Sequence, residues 1–313
     1  MDLLLLPFVV LIEVFKHVDF REKFLISLLS KRARSMLKLT SVKPHFSISH
    51  TNDLYIHAGK YIFGSRVIVT EVSEYFIEGE TMKMSLSSEG VTLREESPEK
   101  QLLLINYLLD TFKNPSISVQ IFDSTLPATV LDFMKIINQK KLWIKSFTYI
   151  NTTRSSEFLA RILDECTKVT DLIWIYSFVP DADVYTPPSP FKAKELRVGF
   201  TANWLNLESF MSCPNIFLEA GTNLTRTPQS WNTFFRKWID SDATLEHLSC
   251  DFIQISQFPM MVDGLSNAGI QQRGTNEWIE GKRRDGLEFV IGRTGKYLHV
   301  MTKQAHLEHL QSF

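Results

Sequence analysis

The sequence predicts an α+β protein, and three observations predict it. Residues 1–40 carry apolar side chains at helical spacing in two short segments. Residues 42–96 break into short β-forming runs bounded by Gly, Asn, Asp and Ser. From 97 to 270 helix and strand signals alternate in an irregular, repeat-like α/β array, and 275–302 carry the pattern of a β-hairpin.

Leu11, Val14, Phe15 and Val18 stand at i, i+3, i+4 and i+7, one face of a helix. Phe24, Leu25, Leu28 and Leu29 mark a second helix, for which Asp19 and Glu22 supply a cap and its N3 partner. Two or three small helices cannot bury this much apolar surface on themselves, so the spare face is expected to seek a partner. His45–Ser49, Leu54–His57, Arg66–Thr70, Thr81–Leu86 and Val91–Arg94 read as strands. Ser97-Pro98 opens a helix striped by Leu102, Ile105, Leu109 and Phe112, and Asn114-Pro115 ends it.

Strands are then predicted at Ile117–Phe122, Trp143–Ile150, Leu172–Phe178, Glu195–Phe200, Ile216–Ala220 and Leu245–Ile253. Between them lie the helix Pro127–Gln139, a helical stripe from Phe158 to Cys166, and a helix opened by Thr227-Pro228. The last of these sets Trp231, Phe234, Phe235 and Trp238 on one face, a pattern that reads as core. A final helix is predicted from Phe258, Met261, Val262 and Leu265. The strand centres recur about every 26 residues, in the range of leucine-rich repeats. Leu245-x-x-Leu248-x-Cys250 and Val169-x-x-Leu172-x-Trp174 echo the strand half of such a repeat. An ordinary α/β domain with evenly spaced strands is the alternative. Asp285-Gly286, between two apolar-alternating runs, predicts a type I′ hairpin.

A length of 313 residues allows one large domain or two ordinary ones, and 44% apolar with 22% charged residues describes a globular chain. A formal net charge of −1 argues against a nucleic-acid binder driven by bulk charge. The basic runs at residues 31–38 and 282–284 read as solvated faces. The uncharged stretch Leu3–Ile12 is too short to span a membrane. Asp2, Pro7 and the lack of a small-residue cleavage site argue against a signal peptide. A cytoplasmic or nuclear compartment is expected, with no membrane partner. Cys166, Cys213 and Cys250 are three and widely spaced, which makes neither a disulfide framework nor a metal pair.

No catalytic motif stands out. Gly292-Arg-Thr-Gly295-Lys296 resembles part of a phosphate loop, but Tyr297 stands where Ser or Thr would be needed, and a hairpin turn is expected there. His45, His50 and His57 are close in sequence, but strand alternation should scatter them, and no cofactor or metal is expected.

Leu6-Pro7, the segment VVLIEVFKHVD (9–19) and the segment FLISLLSKRARSML (24–37) resemble an F-box of the nematode type, although the Trp found late in many F-boxes is absent. The aromatic helix 231–238, the strand LEHLSCDF (245–252) and the basic Asp-Gly hairpin resemble a type 2 F-box-associated domain. The resemblance implies an F-box over 1–40 and a substrate-recruiting domain over 41–313, expected to divide near residue 40 and to fold separately. It implies a non-catalytic adaptor subunit of an SCF-type ubiquitin ligase. Such a subunit binds a Skp-type adaptor, through it the cullin scaffold, and a protein substrate that the sequence does not name.

The resemblance assigns adaptor binding to Leu6, Pro7, Leu11, Phe15, Leu25 and Leu28. Leu11, Phe15 and Leu25 are expected to stay partly exposed in the free chain. Candidate substrate-binding side chains beside the strands are Tyr149, Tyr176, Lys282, Arg283 and Arg284, because interface energy concentrates in aromatic and Arg anchors. The alternatives are a leucine-rich-repeat-like interaction module unrelated to ubiquitin, and an α/β enzyme.

Overall fold

The computed structural model describes residues 6–40, 43–59, 71–94, 96–123, 125–152, 158–178, 184–219, 226–251 and 253–311. The predicted strand Arg66–Thr70 lies outside them. The chain forms two compact units, Met1–Phe147 and Thr148–Phe313. The first compact unit therefore runs well past residue 40. Among the described residues no helix is long and apolar enough to cross a membrane.

The first unit opens with α1 (Phe8–His17), α2 (Phe20–Leu29) and α3 (Lys31–Thr40). The predicted capping box of α2 forms: Asp19 Oδ1 accepts from the Glu22 amide at 2.8 Å, and Glu22 Oε2 from the Asp19 amide at 3.2 Å. There follow β1 (His45–His50), β2 (Leu54–Ala58), β3 (Val72–Ile77), β4 (Glu80–Leu86) and β5 (Gly90–Leu93). Then come α4 (Pro98–Thr111), β6 (Ser116–Ile121) and α5 (Pro127–Gln139), and β7 (Trp143–Asn151) crosses into the second unit. The strand order is β6-β1-β2-β5-β4-β3, with only the β1–β6 pair parallel.

β3 was not legible in the sequence. It is the edge strand of the described sheet, and only Ile77 of its six residues is buried, so no apolar alternation marks it. It turns into β4 through Glu78-Gly79, with φ of 49° and 97°. Positive φ at both positions makes this a type I′ loop.

The second unit continues with α6 (Leu159–Asp164), β8 (Leu172–Ser177), β9 (Glu195–Phe200), β10 (Asn215–Leu218), α7 (Pro228–Ile239), β11 (His247–Cys250) and α8 (Phe258–Met261). β12 (Gln271–Arg273), β13 (Asn276–Lys282), β14 (Glu288–Thr294), β15 (Tyr297–Thr302) and α9 (Lys303–Gln311) complete it. β8 to β11 lie side by side in sequence order, all parallel, and β15, β14, β13 and β12 extend the sheet antiparallel from β11.

The registers align Ile173, Leu196, Ile216 and Leu248 in one row and Ile175, Val198, Leu218 and Cys250 in another. All eight side chains are buried. So are Trp231, Phe234, Phe235 and Trp238 of α7, as their spacing predicts. Trp238 meets Phe289 of β14 with ring centroids 5.0 Å apart. β11 and α8 are shorter than predicted. The Asp285-Gly286 turn differs in kind: only Gly286 has positive φ, 93°, and the Arg283 amide donates to Leu287 O at 2.9 Å. Asp-Gly thus occupies the last two places of a three-residue loop rather than a type I′ pair.

Candidate functional site

Two surfaces carry the candidate residues, one in each unit.

In the first unit α1 and α3 make their own core. Leu11 and Phe15 are 0% and 1% exposed and pack with Leu37, against Leu6, Val18, Ile26 and Met36. This corrects the expectation that Leu11 and Phe15 stay partly exposed. The i, i+3, i+4, i+7 stripe of α1 turns inward because a third helix is present to cover it. Leu6, Leu25 and Leu28 are half-buried and Pro7 is exposed. The open apolar side chains are others: Phe8 (48% exposed), Val9 (72%), Val10, Leu29 (73%) and Leu39. These five, on three ten-residue helices, are the large apolar side chains that the described part of the segment leaves open to a partner. The signal that points to them is the part of each helix left over once Leu11, Phe15, Phe24 and Leu37 face inward.

The three helices are fastened to the rest of their unit. Phe20 of α2 meets Phe46 of β1 and Phe112 at centroid distances of 6.1 and 6.0 Å, and Phe24 meets Tyr107 of α4 at 6.1 Å. Ser27 Oγ lies 3.0 Å from Tyr107 Oη. Arg34 of α3 donates to Thr111 Oγ1 (3.0 Å), Tyr107 O (3.1 Å) and Glu78 Oε1 (2.7 Å), with Cζ 4.0 Å from the Tyr107 ring centroid. This sequence-basic run is therefore not wholly a solvated face.

In the second unit the sheet face opposite the Ile173 and Ile175 rows aligns Trp174, Arg197, Phe217 and Ser249. Tyr176 and His247 flank that row, and all six side chains are half-buried. Arg197 Cζ stands 4.9 Å from the Phe217 ring centroid. Its guanidinium donates to Glu195 Oε1, and to Glu219 Oε1 at 3.3 Å. Burial pushes the His247 imidazole pKa down, while Glu195 opposes the shift.

Tyr176 lies over Gly199, where an added Cβ would stand 2.3 Å from the ring, so any larger residue displaces the tyrosine. Phe200 holds φ 67°, a strained value for an aromatic residue, and meets Tyr176 and Phe178 at 5.4 and 5.7 Å. The clue in sequence is the alternation within LIWIYS and ELRVGF, where buried aliphatic residues alternate with Trp174, Tyr176 and Arg197.

Of the predicted substrate-binding residues, Tyr176 lies on this face, and Lys282 and Arg284 are exposed in the β13–β14 loop region. Tyr149 and Arg283 are corrected. Tyr149 is 1% exposed, and its hydroxyl accepts from Asn151 Nδ2 at 2.8 Å. Arg283 is 4% exposed and ties the hairpin to the strand approach before β11. It donates to Leu245 O (3.0 Å), Ala243 O (2.6 Å) and Asp285 Oδ2 (2.6 Å), with Cζ 5.1 Å from the Trp238 ring centroid. Replacing Arg283 by Met is expected to cost about 2–4 kcal/mol, because it removes charge-assisted bonds to the Ala243 and Leu245 carbonyls and to the Asp285 carboxylate from a buried site. Thermal unfolding of the full chain measures this.

Among the described residues no group of three or more His, Cys, Asp and Glu is placed to hold a metal ion. The three thiols are buried, form no disulfide, and donate to the carbonyls of Ile162, Asn215 and Asp251. Burial pushes Cys213 up to about 11 and Cys250 up to about 12, the wrong direction for a nucleophile.

No curated protein and no solved structure matches the chain. The F-box domain family matches residues 3–45, the segment that holds α1, α2 and α3. The chain thus carries an F-box domain, which supports reading it as an F-box protein.

Proposed function

We propose that this chain is a substrate-recruiting subunit of an SCF-type ubiquitin ligase, of the nematode type and with a type 2 F-box-associated domain. The F-box match over α1–α3 carries the reading. The apolar side chains Phe8, Val9, Val10 and Leu29, with Pro7, would meet a Skp-type adaptor that links the chain to the cullin scaffold. The aromatic and Arg-bearing face of β8–β11 would hold the protein substrate. Ubiquitin transfer would take place on other subunits, in the cytoplasm or nucleus. The contribution of this chain would be effective concentration, holding target lysines near the charged conjugating enzyme.

The consecutive parallel strands β8–β11 support the leucine-rich-repeat-like description of this part, and with it a second reading: an interaction module outside the ubiquitin system. Co-purification with a Skp-type adaptor separates the two readings. For the substrate face, Trp174→Ala with Arg197→Ala is expected to change which proteins are captured from cells with blocked proteasomes, while adaptor binding persists. An unchanged set of captured proteins would remove this face from the proposal.

A further inference from the structure

We infer that, given the substrate-recruiting role proposed above for the β8–β11 face, the element of the substrate held there is an amphipathic α-helix lying beside α9. The face does not end at β11. The registers carry the row of Trp174, Arg197, Phe217 and Ser249 on through His299 of β15, Gly292 of β14 and Trp278 of β13. Directly paired residues point to the same side, so all seven positions share one face of the sheet. Met301, Val290 and Glu280 form the neighbouring row on that face.

On β13–β15 the chain covers this face itself. α9 packs against β14 and β15. Its His306 meets Trp278 and His299 with ring centroids 5.3 and 6.1 Å apart, and Lys303 Nζ pairs with Glu280 Oε2 at 2.7 Å. Trp278, Val290, His299 and Met301 are buried there. On β8–β11 the same row changes state: Trp174, Arg197, Phe217 and Ser249 are all half-buried. One continuous face is thus closed by a helix on one side and left partly open on the other, and a sheet face with aromatic side chains is completed by a packed layer.

The geometry selects a helix over an extended segment. β8, β9, β10 and β11 each have a strand on both sides, so their main-chain groups are taken up within the sheet. An extended segment laid on the face would bury its own amides and carbonyls without partners, whereas a helix satisfies them internally. Arg197 is already engaged by Glu195 and Glu219, which leaves Trp174, Tyr176 and Phe217 as the contact surface. Such a surface suits large apolar side chains at i, i+3 or i+4, and i+7. Packed helices stand about 8–10 Å apart, roughly two strand spacings. A helix next to one seated on β14 and β15 therefore rests over β11 and β10, against Phe217, Ser249 and His247, with Trp174 and Tyr176 as its far wall.

The test is to pan the immobilised full-length chain against a displayed library of random peptides roughly four helical turns long. Selected peptides should share large apolar residues at i, i+3 or i+4, and i+7. A proline placed centrally in a selected peptide should weaken binding at least tenfold by fluorescence anisotropy, because it breaks a helix and leaves an extended segment intact. On the protein, Ser249→Tyr should block the path beside α9 and Phe217→Ala should remove a contact. Each should weaken binding at least tenfold while the melting temperature holds, and the pair guards against one variant failing to fold. No binder, binders that tolerate the proline, or binders that keep their affinity for both variants overturn the inference. Co-elution with a Skp-type adaptor, run in parallel, tests the recruiting reading separately. Adaptor binding with proline-tolerant peptides sinks only the helix assignment, and helical binders without adaptor binding sink only the ligase reading.

Discussion

Replacing Phe24 by Ala is expected to destabilise the first unit by about 3–5 kcal/mol, a fall in melting temperature of roughly 6–20 °C. Phe24 is fully buried, between the F-box helices and Tyr107 of α4. The cost comes from a cavity shared by α2 and α4, so both should loosen together. Hydrogen exchange should show faster amide exchange in α4 as well as in α2. The same geometry changes what truncation at residue 40 should do. Residues 41–313 would expose Phe46, Tyr107 and Phe112, which the F-box helices cover through Phe20, Phe24 and Arg34. That truncation is expected to aggregate or to unfold with lost cooperativity. A truncated chain as stable as the full one would show that the helices are an independent appendage.

The second large effect concerns adaptor binding. Val9→Glu combined with Leu29→Glu places two charges on side chains that are 72% and 73% exposed. Stability should change little, because nothing buried is touched. Affinity for a Skp-type adaptor should fall at least 100-fold, about 2.7 kcal/mol. Leu11 and Phe15 behave differently, since Phe15→Ala opens the core of α1 and α3 and unfolds the helices before it reports on binding. Calorimetric titration of the adaptor into each variant, beside a thermal melt, distinguishes the two kinds of loss. Unchanged affinity in the charged double variant would place adaptor contact elsewhere.

Much of the architecture was legible in the chain. Pro127–Gln139 and Glu195–Phe200 fall where periodicity and Pro punctuation place them, because strong local signals coincide with burial there. The candidate surfaces were harder to read. An apolar stripe at helical spacing says which side chains prefer burial, but not whether this chain or a partner provides it. For Leu11 and Phe15 the provider is α3, whose Leu37 gives no warning in a run dominated by Lys and Arg. Arg283 sits in a basic triplet that reads as solvated, yet carbonyls from residues 243 and 245 capture it through tertiary contacts that one sequence does not display. Edge strand β3 escaped for the opposite reason, since a mostly exposed strand needs no apolar pattern. The Asp-Gly turn failed because the loop length is set by the Arg283–Leu287 pairing, not by the dipeptide.

Hydrogen exchange of the full-length chain with and without a purified Skp-type adaptor tests the adaptor role most directly. A stoichiometric complex is expected, in which amides of residues 8–12 and 28–32 gain protection while β8–β11 exchange as in the free chain. No complex, or protection confined to β8–β11 with α1 and α2 unchanged, would contradict it.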